Sequence, residues 1–321
     1  MAAPAAVIQL DSVTKDFVVM RKKGRLRRER VTVPAVDDIS LRIDAGELVG
    51  YIGPNGAGKS TTIKMLTGIL VPSSGTVRVV GLDPQRRRVE LASRIGVVFG
   101  QRTQLWWDLP LVDSFDLLRH VYRVPADRHR ANLRRFVDLL ELEPFLHSPV
   151  RQLSLGQRMR GDLCAALLHD PAILYLDEPT IGLDVVSKAR VREFLAQVNR
   201  EQGVTILLTT HDLADVERLC SRLVVIDHGH VIHDGTVAEI KTMFGDTRTV
   251  VVDLEEAAPP LVVAGAEVVQ VDGPRQWLRF RRSEVTAAEV IAAVVGQARV
   301  RDLSIEEPDI EDVVTRIYTS G

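Results

Sequence analysis

Apolar and polar positions alternate from the start of the chain. "AVIQLDSVTKDFVV" has the period-two rhythm of a half-buried strand, and "AVDDISLRI" repeats it. Between them lies a basic run, "MRKKGRLRRERVTV". Such a run reads as a solvated hairpin loop, and contact with acidic lipid head groups or a partner is the sharper alternative. "GELVGYIGPNGAGKSTTIKMLTGIL" reads as strand, glycine-rich turn and helix, with Ile63, Leu66 and Leu70 marking the buried helical face. "SSGTVRVVG" and "RIGVVF" predict two further strands. From Leu111 to Leu146 the spacing becomes helical, through Leu133, Phe136, Val137 and Leu140, and Pro125 separates this helix from an earlier one around Phe115–Tyr122.

The strand–helix rhythm then resumes. "AILYLDEP" is a near-continuous apolar run, as expected of a strand covered on both faces. Val191, Phe194, Leu195 and Val198 predict a helix, and "VTILLTTH" and "RLVVID" predict strands. After about Met243 the texture changes. "TVVVDL", "EVVQVDG" and "QWLRFRR" are strand-like, "VTAAEVIAAVVGQ" and "DIEDVVTRIY" are helical, and a proline pair stands at 259–260. The expectation is an α/β domain over residues 5–243, with a helical subdomain at about 102–165, and a small α+β domain over 244–321.

Composition narrows the class. With 321 residues, 45% of them hydrophobic, the chain can bury a sizeable core. Lysine plus arginine number 41 against 43 acidic residues, so bulk charge makes no case for nucleic acid. The two cysteines, Cys164 and Cys220, form no metal or redox spacing and read as buried, reduced thiols. The N-terminus lacks the basic region and apolar length of a signal peptide, and no apolar stretch is long enough to span a bilayer.

The chemistry concentrates in a few stretches. "GPNGAGKST", Gly53–Thr61, fits the phosphate-binding pattern G-x-x-x-x-G-K-[ST]. Glycines there let backbone N–H groups curl around phosphate oxygens, and the following helix turns its positive end toward them. Lys59 is placed to reach β- and γ-phosphates, and the Ser60 hydroxyl to ligate Mg²⁺. Asp177 and Glu178 end the buried strand, where adjacent carboxylates are costly without a partner. A metal–nucleotide supplies one, with Asp177 holding Mg²⁺ through its water shell and Glu178 polarising the attacking water. His211 and Gln101 each follow a strand, and each by itself suits ordinary loop surface.

In order, "GPNGAGKST", Gln101, "LSLGQ" at Leu153–Gln157, "ILYLDEP", "GLD" at Gly182–Asp184 and His211 resemble the ATP-binding cassette (ABC) family over roughly residues 5–240. The resemblance implies an ABC ATPase core of the phosphate-binding-loop class, with ATP and Mg²⁺ as cofactors. Gly53, Pro54, Asn55, Gly56, Ala57, Gly58, Lys59, Ser60 and Thr61 would bind the nucleotide. Phe17 sits where the family stacks an aromatic on adenine, though a phenylalanine there also suits the core. Gln101 would contact Mg²⁺ and sense the γ-phosphate, His211 would hold that phosphate and the attacking water, and Asp184 would couple two active sites. Ser154, Gly156 and Gln157 would complete the site of an opposite copy.

Three features depart from the family pattern. Leu155 stands where a glycine is usual, Gln101 is preceded by "FG", and Trp106–Trp107 is an unusual pair whose indoles are expected to point apart, one to the core and one to solvent. Ser154 with Gln157 fits a capping box. Leu155 shares a helical face with Met159 and Leu163, so its side chain is expected to pack inward rather than obstruct the phosphate.

The resulting expectation is the ATP-hydrolysing subunit of a transporter, working at the cytoplasmic face of the cell membrane as a dimer of two copies, with pairing to a different cassette subunit as the alternative. It would power a separate transmembrane permease that provides its contact with the membrane, and it would bind no nucleic acid. The tail ending "LSIEEPDIEDVVTRIY" resembles those of ABC-2-type export ATPases, which favours export, and an importer cassette is the nearer alternative. A soluble cassette of translation or DNA maintenance is less suited, because the chain carries neither a second cassette nor a long insertion. A catalytically dead cassette is at odds with the presence of Lys59, Asp177, Glu178 and His211.

Overall fold

The computed structural model describes residues 6–23, 27–100, 102–244 and 247–306, with side chains described outside 21–28 and 241–244. Its contacts divide the chain into two compact units, meeting between Asp234 and Gly235.

The first unit opens with a long antiparallel hairpin, β1 (Ala6–Lys23) and β2 (Arg27–Asp44). The basic run is therefore strand through most of its length, a correction to the expected loop. Its backbone is taken up in ladder pairs such as Met20 with Arg30, which satisfy the peptide groups whatever the side-chain charge. The chain continues through β3 (Leu48–Ile52), α1 (Lys59–Leu66), β4 (Ser74–Val79), α2 (Arg88–Ala92) and β5 (Ile95–Phe99). Helix α1 stops before Leu70, because Gly68 takes φ 71° and turns the chain away; Leu70 packs on the core from beyond the helix end.

Three helices follow, α3 (Leu111–Val121), α4 (Ala126–Leu139) and α5 (Leu155–Leu167). Pro110 and Pro125 stand at the N-caps of the first two. Then come β6 (Ile173–Asp177), α6 (Val185–Gln202), β7 (Thr205–Thr209), α7 (Leu213–Leu219), β8 (Arg222–Asp227) and β9 (His230–Thr236). The pattern did not reveal β9. Its turn from β8, at His228 and Gly229, has both φ values positive, the form that suits a tight hairpin.

A six-stranded sheet in the order β5-β6-β7-β3-β8-β9 carries the chemistry, and a three-stranded sheet β2-β1-β4 lies in the same unit. The β5–β6, β6–β7, β7–β3 and β3–β8 pairings are parallel. Strands β3 and β7 are buried along their whole length, which explains why they are continuous apolar runs. Because β3, β6 and β7 run the same way, their C-terminal ends open on one edge, with Asp177 in register with Thr209. The core between the sheets includes Ile8, Leu41, Tyr51, Ile63 and Tyr175. Cys164 and Cys220 are both buried and unpaired, and burial pushes both thiols up from their ordinary pKa.

The second unit starts at Gly235, and its first helix is α8 (Val237–Phe244). Its antiparallel sheet has the order β11-β12-β10-β13, from β10 (Thr247–Leu254), β11 (Ala266–Asp272), β12 (Arg275–Arg281) and β13 (Val300–Glu306). Helix α9 (Ala287–Gln297) packs Val290 and Val294 into a core with Val250, Val252, Leu278 and Phe280. The proline-pair loop is held by buried Gln276, whose Nε2 donates to the Ala258 and Pro259 carbonyls while its Oε1 accepts from Leu261 N. The sequence pattern had not marked β13. The expected helix "DIEDVVTRIY" lies outside the described residues.

Candidate functional site

The turn from β3 to α1 depends on glycine at two positions. Gly58 has φ 109°, and a Cβ there would stand 2.4 Å from the Ala35 carbonyl oxygen; one on Gly53 would stand 2.4 Å from that of Ile226. Neither position can accept a side chain without moving backbone. Gly58 is also the N-cap of α1 and supplies no side-chain cap, so the first-turn N–H groups of the helix remain available to an anion.

Lys59, the first residue of α1, is buried, and its Nζ donates to the carbonyls of Gly53 at 2.5 Å and Pro54 at 3.1 Å. Burial lowers its pKa below the ordinary lysine value, and the carboxylates of Glu178 and Asp177 partly reverse that. A desolvated ammonium held by its own loop is prepared for an anionic partner. The next turn is tied down from inside: Thr62 Oγ1 donates to Gly58 O, and the fully buried Tyr51 hydroxyl donates to Thr62 Oγ1.

At the end of β6, Asp177 Oδ1 accepts from Ser60 Oγ at 3.3 Å and from Thr209 Oγ1 at 2.6 Å. Register produces this meeting, since Thr209 is paired with Asp177 across the sheet. Thr209 was not anticipated as a site residue; its position two before His211 on the same strand end was the available signal. The backbone turns left-handed at Glu178, φ 56°, a conformation that non-glycine residues take rarely and that clusters at functional sites. Glu178 Oε2 lies 3.2 Å from Nδ1 of the exposed His211. A cavity of about 500 Å³ is lined by Ser60, Phe99, Gly100, Arg102, Asp177 and Glu178, among others. Arg102 was also missed, because nothing in its sequence surroundings distinguishes it from surface. Gln101 lies outside the described residues.

A second group forms around the start of α5. Ser154 is the N-cap: its Oγ accepts from Gln157 N at 3.2 Å, and its own N–H donates to Gln157 Oε1 at 2.8 Å, so the expected capping box is present. Asp184 caps α6, accepting from Ser187 N at 2.9 Å and Ser187 Oγ at 2.6 Å, and these bonds lower its pKa. The two helix starts touch. A Cβ on Gly156 would lie 2.7 Å from Ser187 Oγ, and one on Gly182 would lie 3.0 Å from Leu155 Cδ2. Leu155 is half-buried against the "GLD" turn, while Met159 and Leu163 behind it are fully buried. Among the described residues no hydrogen bond joins this group to Gly53–Thr61.

Phe17 is 37% exposed on β1, opposite Val33, so it is no core residue. Lys15 Nζ sits 5.4 Å from its ring centre. Trp106 and Trp107 are both exposed, at 40% and 50%, which corrects the expectation that one enters the core. They lie in a turn rather than an alternating strand, and the neighbouring Leu105 fills the buried position. The Arg158 guanidinium stands 5.6 Å from the Trp107 ring. Among the described residues no helix is long and apolar enough to cross a membrane.

A parallel sheet whose strand ends gather a glycine-built anion loop, a serine–aspartate pair and a glutamate–histidine pair defines a phosphate-binding-loop ATPase. Comparison with known proteins makes the assignment more specific. The ABC transporter family profile matches residues 36–181. The chain is 34% identical over 284 residues to the daunorubicin resistance ATP-binding protein DrrA3 of Streptomyces coeruleorubidus, covering 87% of this chain and 89% of that one. To the methionine import ATP-binding protein MetN of Latilactobacillus sakei it is 36% identical over 253 residues, 74% of this chain and 73% of the relative. The dimeric post-hydrolysis structure of the cassette MJ0796 with ADP and phosphate superposes with a TM-score of 0.61 at 27% identity, covering 72% of this chain and 98% of the cassette. The chain belongs to the ABC transporter ATP-binding proteins: it binds and hydrolyses ATP as the nucleotide-binding part of a transporter.

Proposed function

We propose that this protein is the ATP-hydrolysing subunit of an exporter, working as two copies that complete each other's nucleotide sites and drive separate transmembrane permease subunits. The observation that carries the hydrolytic reading is the meeting of Ser60, Asp177, Glu178 and His211 at one sheet edge beside the phosphate loop. Gly53–Thr61 surround the phosphates, and Lys59 neutralises the β- and γ-oxygens. Ser60 and Asp177 fit a divalent cation, since two hard oxygen donors already converge within 3.3 Å. Bound there, Mg²⁺ would neutralise charge on the β- and γ-phosphates. Among the described residues no cluster of three acidic, histidine or cysteine ligands exists, so nucleotide and water would complete its shell.

Glu178 accepts a hydrogen bond from the attacking water and orients it, and His211, held by Glu178, contacts the γ-phosphate. Gln101 contributes to the metal site, and Phe17 stacks on adenine. Ser154, Gly156 and Gln157 face the nucleotide of the opposite copy, where the α5 N-terminus favours an anion. Asp184 links the two sites. By sequence the cassette spans residues 5–243, with about 102–165 as its helical subdomain, and by contacts it ends at Asp234. Residues 244–321 form an accessory domain that braces the dimer.

Export is favoured by the tail ending "LSIEEPDIEDVVTRIY", which resembles those of ABC-2-type export ATPases, and is supported by the match to DrrA3 over 87% of the chain. The protein would act at the cytoplasmic face of the membrane, through its permease, with one exposed indole of Trp106–Trp107 packed on a permease cytoplasmic helix. The decisive experiment isolates the membrane proteins that co-purify with this chain and reconstitutes them with the cassette outside the vesicle. ATP added outside should load cargo into the lumen. Release of preloaded cargo instead would mean import.

A further inference from the structure

Helix α5 holds one side chain that its burial does not call for. Gly161–Leu168 is buried throughout, yet within it stands Asp162, only 3% exposed. Its Oδ1 accepts twice, from Thr103 Oγ1 at 2.9 Å and from Gln104 N at 3.0 Å, and Gln104 Nε2 donates to the Asp162 carbonyl at 3.2 Å. Thr103 Oγ1 in turn accepts from Leu105 N. The chain lies close along the helix here. A Cβ on Gly161 would meet Leu111 and Leu105 side-chain atoms at 2.8 and 3.1 Å, and Arg158 stands over Trp107.

This segment joins two places with chemistry. At its upstream end Arg102 N donates to Phe99 O, and Arg102 lines the cavity shared by Ser60, Asp177 and Glu178. The helix that holds its other end begins at Ser154. A buried carboxylate is an expensive way to fill a helix face, and an apolar residue would pack at lower cost. What an apolar residue lacks is an acceptor for two specific N–H and O–H groups.

We propose that Asp162 is a positioning residue for ATP hydrolysis: its carboxylate fixes the Arg102–Trp107 segment onto α5, so the wall of one nucleotide cavity and the Ser154 end offered to the opposite copy move as one body. This rests on the two-copy site described above. The role belongs to one oxygen, because both bonds fall on Oδ1. Asparagine can therefore stand in for aspartate, and alanine cannot.

The test measures steady-state hydrolysis of Mg-ATP by the full-length chain, with folding checked by circular dichroism. Asp162→Ala should lower kcat about ten-fold while KM for ATP stays within about two-fold, the signature of lost alignment rather than lost binding. Asp162→Asn should keep more than about half of the activity, and Thr103→Val should fall in the same direction as Asp162→Ala. The Thr103→Val/Asp162→Ala double variant should be no worse than Asp162→Ala alone, since both remove one connection. If Asp162→Ala fails to fold, the contrast between Thr103→Val and Asp162→Asn still decides. Unchanged kcat in Asp162→Ala or Thr103→Val, or Asp162→Asn as damaged as Asp162→Ala, would overturn the proposal while leaving hydrolysis established. A wild-type chain that released no phosphate would sink the hydrolytic reading, and the proposal with it.

Discussion

Replacing Asp162 by asparagine should change how stability depends on pH. Burial pushes the Asp162 carboxyl from 3.8 up to about 6, against the lowering effect of the hydrogen bonds from Gln104 and Thr103. Between these values the folded chain holds a proton that the unfolded chain has released, so stability falls as pH rises through this window. The difference is worth about 3 kcal/mol in all, at about 1.4 kcal/mol per pH unit. About half of that is lost between pH 5 and pH 8, where the folded carboxyl ionises. Asparagine removes the titration and keeps the Oδ1 acceptor. Urea unfolding of both proteins at intervals from pH 5 to 8 would measure it, because titrations common to both cancel in the difference. Wild type should lose about 1.5 kcal/mol relative to Asp162→Asn over that range, with the change levelling off at the upper end. A difference that stays flat with pH, or grows in favour of wild type, would refute the reasoning.

Other substitutions probe the remaining contacts. Gly58→Ala and Gly53→Ala should each abolish nucleotide binding measured by fluorescence titration, since each forces a Cβ to within 2.4 Å of a carbonyl oxygen. Leu155→Gly should reduce ATPase activity only a few-fold, as Leu155 packs on Gly182 at the edge of the core, whereas Ser154→Ala and Gly156→Val should each reduce it by about 100-fold or more. Equal losses at all three positions would show that Leu155 acts directly at the site. Replacing Trp106 and Trp107 together by alanine should keep the chain folded and lower recovery of the permease in pull-downs; unchanged recovery would remove the indoles from the interface.

Much of this organisation was legible in the sequence, and the reasons are local. The phosphate loop is contiguous, and its glycines are required by geometry within a few residues, so the spacing carries the site. The capping box at Ser154–Gln157 is local in the same way. Buried strands β3, β6 and β7 announced themselves as unbroken apolar runs. What stayed hidden depends on contacts distant in sequence. Thr209 acquires its place only because β6 and β7 pair in a register that sets it against Asp177. Asp162 looks like the polar position of an ordinary helix until Thr103 and Gln104 fold against it. The basic run misled because charge suggested solvent-exposed loop, while the backbone ladder across the hairpin fixed it as strand. Trp106 and Trp107 misled because alternation was assumed where the chain turns.

The central claim is that each ATP site is built from two copies of this chain, with Lys59 supplied by one and Ser154 by the other. Mixing purified Lys59→Ala and Ser154→Ala proteins, each inactive alone, tests it directly. In a mixed dimer one site carries both defects and the other carries neither. Random pairing makes half of the dimers mixed, so phosphate release should recover to about a quarter of the wild-type rate when each site turns over independently. A mixture no more active than its two components would contradict the shared site.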